Sequence, residues 1–252
     1  MKTGHPGHTR HTAHTERASQ TGHKCTRREF LKNSGEALGI IAAAAHLPPG
    51  IAFAADGASQ PSARNPAQLK RLLDEMDERG TAAWSVPRKD GEFLHLMIKA
   101  TRAKNVLELG TSQGFSTIWM GLALEETGGR LTTIEIDTER HNEARRNVDR
   151  AGMSQRITLI KADAHKEVTK LEGPFDFVFM DADKEGQLDY FKKLYPKKLP
   201  PGGMIAVHNA IRQAYAMNDY LSMIHKHPDF DTVTVSATMD DGFCLSYRHR
   251  GA

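Results

Sequence analysis

The chain is predicted to fold as a doubly wound α/β domain. The expected architecture is a mostly parallel seven-stranded sheet with one antiparallel strand at an edge and helices on both faces. Three observations predict it. Apolar runs of strand length alternate with stretches of helical period through residues 106–227. A glycine turn at Gly110 and Gly114 joins the first of these runs to its helix. Four acids, Glu108, Glu135, Asp163 and Asp181, fall at or just beyond the ends of successive strands. Ligands in such sheets sit beyond the carboxyl ends of the strands, so one rim collects the polar chemistry.

Two helices precede the alternation. Residues 66–79 set Leu69, Leu72, Leu73 and Met76 at helical spacing, and Gly80 stops the run. Residues 90–103 repeat the pattern with Phe93, Leu94, Met97 and Ile98. Strand 106–109 then leads to a helix over 115–124, and strand 131–136 to a helix over 138–151. Strand 157–161 precedes a short helix over 165–171, and strand 175–180 a helix over 187–199. Strand 204–207 precedes a helix over 212–227. Strands 232–237 and 243–247 follow as a hairpin, joined at Asp240-Asp241-Gly242. No internal repeat or second folded domain is visible, and residues 67–252 are expected to form one domain.

The net charge of +3 is set by the first 55 residues. They hold seven of the 34 Lys/Arg and three of the 31 Asp/Glu, which leaves 27 basic against 28 acidic residues for the rest. A near-neutral domain gives no electrostatic case for nucleic-acid binding. The two cysteines, Cys25 and Cys244, offer no disulfide framework.

Residues 1–55 read as a leader, and the Ser/Pro/Ala/Asn-rich residues 56–66 as a linker. Arg27-Arg28 with Phe30-Leu31-Lys32 precedes a weakly apolar run over 37–46 and a small-x-small site at Ala52-Phe53-Ala54. That order resembles a twin-arginine export signal and predicts a location in the periplasm or outside the cell, with the cytoplasm as the alternative. The run is too short to span a bilayer, so no integral membrane protein is expected. His5, His8, His11 and His14 recur among Gly, Thr and Pro and are assigned no function.

Residues 105–116, Asn-Val-Leu-Glu-Leu-Gly-Thr-Ser-Gln-Gly-Phe-Ser, carry the most chemistry. A strand ends in a carboxylate and enters a turn in which glycine lets backbone approach a ligand. Gly110 and Gly114 are four apart, which lacks the G-x-G-x-x-G spacing suited to a dinucleotide pyrophosphate. One strand later, Glu135-Ile136-Asp137 supplies an acid where a ribose diol is gripped. A nucleoside without a pyrophosphate fits, and S-adenosylmethionine is the commonest such cofactor.

These motifs, with Ser85-Val86-Pro87, Gly91, Asp163-Ala164, Met180-Asp181-Ala182-Asp183-Lys184, Gly202-Gly203 and His208-Asn209, resemble the cation-dependent O-methyltransferases of the catechol and caffeoyl-CoA group, particularly their small bacterial members. The resemblance covers residues 83–248. It implies a Rossmann-like methyltransferase fold, S-adenosylmethionine as cofactor, a small phenolic or catechol-like acceptor and a homodimer. By the same resemblance, Val86, Glu108, Gly110, Ser112, Gly114 and Ser116 line the glycine turn and the methionine end of the cofactor. Glu135 holds the ribose, Ile136 packs on the adenine, and Asp163 and Ala164 form the adenine-edge loop. Asp181, His208 and Asn209 occupy the metal-ligand positions, Asp181 also borders the cofactor, and Lys184 matches the base.

The chain departs from the family pattern at its metal shell, where His208-Asn209 stands in place of Asp-Asn. Magnesium prefers oxygen donors and imidazole suits later transition metals. Two readings follow: a transition metal held by Asp181, His208 and Asn209, or a site without metal in which His208 acts as base or hydrogen-bonding group. Gln187 replaces a frequent tyrosine, and Trp84 replaces a smaller apolar residue, either as a wall of the transfer site or as a lid packed on the first helix. An exported binding protein without turnover is the alternative function, and a nicotinamide oxidoreductase is disfavoured by the turn spacing.

Overall fold

Residues 105–109, 130–135, 157–161, 177–180 and 204–208 form the parallel strands β1 (Asn105–Leu109), β2 (Arg130–Glu135), β3 (Ile157–Lys161), β4 (Phe177–Met180) and β5 (Met204–His208), with β6 (Phe230–Val235) and β7 (Phe243–Arg248) completing one sheet. The structure is a computed structural model that describes residues 65–236 and 241–251. The leader, the histidine-rich stretch, the linker up to residue 64, the last residue of the predicted strand 232–237 and Asp240 of the hairpin turn lie outside the described residues. The strand order is β3-β2-β1-β4-β5-β7-β6. β7 pairs antiparallel with both β5 and β6. The antiparallel strand expected at the edge thus stands one place in from it, with β6 outermost.

The sheet reverses its direction of growth between β1 and β4, which pair in register from Val106↔Phe177 to Leu109↔Met180. Helices α1 (Pro66–Arg79), α2 (Arg88–Thr101), α3 (Phe115–Thr127) and α4 (Thr138–Arg150) cover one face; α5 (Ala164–Lys170), α6 (Gln187–Leu194) and α7 (Asn218–Ile224) cover the other. Side chains alternate along a strand. Val106, Phe177, Phe179 and Ala206 pack with the first set of helices, and Leu107, Leu109, Val178, Met180, Ile205 and Val207 with the second. The same alternation sends Glu108 and His208 towards α2 and α3. Leu94 and Ile98 of α2 are fully buried. Burying such side chains contributes about 1.5–3 kcal/mol each, so the core fixes the seat of α2 independently of any ligand.

Two predicted helices are shorter than expected. α6 stops at Leu194 because Pro196 confines Tyr195 to extended backbone (φ −91°, ψ 141°). The segment predicted as helix from residue 212 runs as turns as far as Met217. Ala210 N–H donates to the Gly242 carbonyl, and Ile211 and Arg212 N–H donate to the Asp241 carbonyl (3.0–3.3 Å). Those amides therefore serve the β6–β7 loop, and helix begins only at Asn218. Among the described residues no helix is long and apolar enough to cross a membrane.

Candidate active site

At the switch point Asp181 N–H donates to the Leu109 carbonyl at 2.8 Å, drawing the ends of β1 and β4 together. Gly110 sits there with φ 92°, and a Cβ on it would lie 2.8 Å from the Asp181 carbonyl carbon and oxygen. Only glycine fits both the dihedral and the space. Ser112 (φ 50°) and Gly114 (φ 85°) continue the turn, and Gly114 opens α3. A hollow lies beyond the strand ends, lined by Ser85, Val86, Gly110, Ser112, Ser116 and Asp181. The Ser85 hydroxyl is buried there without a hydrogen-bond partner, an arrangement that costs about 1–3 kcal/mol unless a ligand satisfies it. Trp84, 76% exposed at φ 56°, borders the hollow, and the Arg140 guanidinium stands 5.7 Å from its ring centroid.

Glu108 occupies a different place from the one expected. It lies beneath the hollow, fully buried, and accepts hydrogen bonds from Ser116 (2.5 Å), Thr117 (2.5 Å) and Thr133 (2.7 Å). Strand alternation explains this, since Glu108 faces α3. Burial pushes its carboxyl up to about 7 although the three hydroxyls oppose the shift, and the nearby Asp181 adds to it. The residue anchors the glycine turn and fixes Ser116 rather than lining the hollow.

Glu135, at the end of β2, is 5% exposed and oriented by backbone. It accepts from Ser112 N–H and Asp137 N–H, each at 2.8 Å, and from Arg140 Nε at 3.3 Å. Ile136 beside it is 60% exposed, an apolar platform open to solvent. Asp163 caps α5 by accepting from His165 N–H at 2.9 Å, and Ala164 behind it is buried. Glycine turn, buried acid and exposed apolar side chain therefore follow one rim, across the ends of β1, β2 and β3.

The other half of the rim carries the charges. Lys184 Nζ lies 2.6 Å from Asp181 Oδ1. Nδ1 of His208, at the end of β5, lies 3.2 Å from the same oxygen, and its Nε2 lies 2.9 Å from Asp90 Oδ2. Asp90 comes from the first turn of α2 and is 1% exposed. Burial alone would raise the Asp181 carboxyl, but Lys184 and His208 outweigh it and hold that group well below the usual carboxylate range. Burial would likewise lower His208, yet Asp181 and Asp90 lift it to about 9. Asn209 follows in a left-handed conformation (φ 60°) that turns the chain out of β5.

The trio Asp181, His208 and Asn209 does not fit a divalent cation. Each imidazole nitrogen offers one proton or one lone pair, and both nitrogens of His208 are directed at carboxylates. Asp181 Oδ1 already receives an ammonium and an imidazole. Asp90 was not among the predicted site residues, nor was Asp241, whose carboxylate comes with Asp90 and His208 to form a buried group with ligand atoms within 4.8 Å of one another. The available signal was strand parity: residue 208, like residue 108, faces the helices where Asp90 resides.

A seven-stranded sheet of this order, with a glycine turn at its switch point and an acid ending the next strand, defines the Rossmann-like methyltransferase fold. The sequence profile of a family described as O-methyltransferase matches residues 59–240, and the chain belongs to that family. It is 38% identical over 156 residues to the catechol O-methyltransferase of Niastella koreensis, covering 60% of this chain and 69% of that one. It is 35% identical to the Mycobacterium tuberculosis catechol O-methyltransferase, covering 64% and 80% of the two chains. Among solved structures it resembles cofactor-bound Rv0187 from MTB (TM-score 0.65, 32% identity, 74% and 91% covered). An O-methyltransferase from Bacillus cereus in complex with SAH matches equally well (TM-score 0.65, 27% identity, 73% and 91% covered).

Proposed function

We propose that the protein is an S-adenosylmethionine-dependent O-methyltransferase acting on a small phenolic or catechol-like acceptor. The observation that carries this reading is the switch-point hollow, where the unpartnered Ser85 hydroxyl faces a turn too tight for any residue but glycine at 110. Glu135 and Ile136 supply the acid and the apolar platform that a nucleoside needs at the other end. The catechol O-methyltransferase relatives and the Bacillus cereus complex with SAH support the same cofactor and acceptor class.

In the reaction, the acceptor oxygen attacks the methyl carbon of the sulfonium. A C–O bond forms, the C–S bond breaks, and its electron pair returns to sulfur, leaving neutral S-adenosylhomocysteine. Lys184 serves as the base: it releases a proton to solvent as the acceptor binds and then takes the hydroxyl proton, and Asp181 holds the resulting ammonium at the 2.6 Å contact seen here.

Calorimetry of the full chain with S-adenosylmethionine, S-adenosylhomocysteine and NAD tests the assignment, followed by a labelled-methyl assay across simple phenols and catechols. Both adenosyl ligands are expected to bind and a catechol to become methylated. Binding of NAD alone would overturn the reading.

A further inference from the structure

We infer that this chain works without a divalent cation, and that the His208 side chain, clamped between Asp181 and Asp90, takes the cation's place in positioning Asp181 and Lys184. The turnover arm of the test below rests on the methyltransferase reading; the metal-binding arm does not.

The geometry argues for it in four ways. First, His208 bridges two carboxylates, 3.2 Å from Asp181 through Nδ1 and 2.9 Å from Asp90 through Nε2. Each ring nitrogen is thus engaged with a carboxylate oxygen, and a metal could take either nitrogen only by displacing that contact. Second, the groups link into the continuous chain Asp90–His208–Asp181–Lys184, with Asp241 as a further carboxylate beside it. Third, the surroundings are dry. His208 is 4% exposed, with Phe179 and Phe243 at ring-centroid distances of 6.3 and 5.1 Å. Magnesium keeps several of its waters and is poorly served by such walls. Fourth, Asp90 is carried by α2, whose position the apolar core sets, so the clamp is built into the fold. His208 and Asp90 are therefore positioning residues: they touch no reacting atom and act by fixing Asp181, which in turn orients Lys184.

The same cluster defines the rival outcome. Asp90 Oδ1 is buried without a partner, and Asp241 stands close by, 3.4 Å from the largely exposed Arg212. A transition-metal ion could satisfy that oxygen if His208 surrendered the Nε2 proton to make room for it.

The test uses the full chain after exhaustive dialysis against chelator and again after loading with magnesium, manganese or zinc. Metal content is measured by mass spectrometry and binding of each ion by calorimetry. Methyl transfer is then compared with and without chelator. The expected result is much less than one equivalent of bound metal, no saturable binding heat, and turnover within about twofold in the two conditions. His208→Asp, checked for folding by circular dichroism, is expected to gain saturable divalent-ion binding. Asp90→Asn is expected to lower kcat several-fold while the acceptor KM stays within about twofold, a split that simple loss of packing would not produce.

One equivalent of metal that survives dialysis and is lost in Asp90→Asn or Asp241→Asn would overturn the inference and establish the buried trio as a metal centre. Activity abolished by chelator and restored by one ion would do the same. A chain that binds no metal and transfers no methyl group would sink the enzyme assignment while leaving the metal-free site intact. The resting protein's metal content decides the matter even if every variant fails to fold.

Discussion

Replacing Glu108 by glutamine isolates the electrostatic cost of keeping a carboxylate beneath the glycine turn. Burial moves this group from 4.5 to about 7 against the pull of three hydroxyls. At about 1.4 kcal/mol per pH unit, the displacement amounts to about 3 kcal/mol. Its sign follows from which state holds the proton. Between the two values the folded protein retains a proton that the unfolded chain has released. This contribution to stability is complete below the unfolded value, declines as pH rises, and is gone above the folded value. Glutamine keeps the shape and removes the titration. The unfolding free energy of Glu108→Gln relative to the parent is therefore expected to change by about 3 kcal/mol in the variant's favour between roughly pH 4.5 and 8. Urea unfolding followed by circular dichroism at stepped pH, without cofactor, measures this, because titrations not coupled to Glu108 cancel in the difference. Parallel pH profiles for the two proteins would refute the reasoning.

Gly110→Ala places a Cβ 2.8 Å from the Asp181 carbonyl at a φ of 92°, and a loss of about 2–3 kcal/mol is expected together with weakened adenosyl binding; unchanged melting temperature and affinity would contradict the close-approach argument. Glu135→Gln removes the charge from an acceptor of two backbone amides, and the affinity for S-adenosylmethionine and S-adenosylhomocysteine is expected to fall equally, by about 10–100-fold. A titration in which only the sulfonium ligand weakened would place Glu135 at the wrong end of the cofactor.

The sheet and the first half of the rim were legible in the sequence because their signals are local. Strand periodicity, the glycine spacing and the acid ending β2 each occupy a dozen residues or fewer. Asp181 and Lys184, three apart, were also recognisable as a pair. His208 was flagged as unusual, but its meaning depends on Asp90, which lies 118 positions away and reads in sequence as an ordinary acid in a helix's first turn. Glu108 was misplaced for a related reason. A carboxylate at a strand end looks like a ligand contact until alternation is followed across the sheet to Ser116, Thr117 and Thr133. Residues 212–217 were misread as helix because the amides of Ala210, Ile211 and Arg212 are claimed by Gly242 and Asp241, partners that no helical periodicity reveals.

The placement of β7 bears on how the protein is assembled. It is made after β6 yet enters the sheet between β6 and β5, so the outer strand cannot dock first against β5 and must wait for its younger neighbour. A chain interrupted within β7 would expose two unpaired ladders instead of one, and such ladders invite pairing with other chains. Such a truncated chain would also lose the insertion that brings the loop bearing Asp241 to the strand bearing His208.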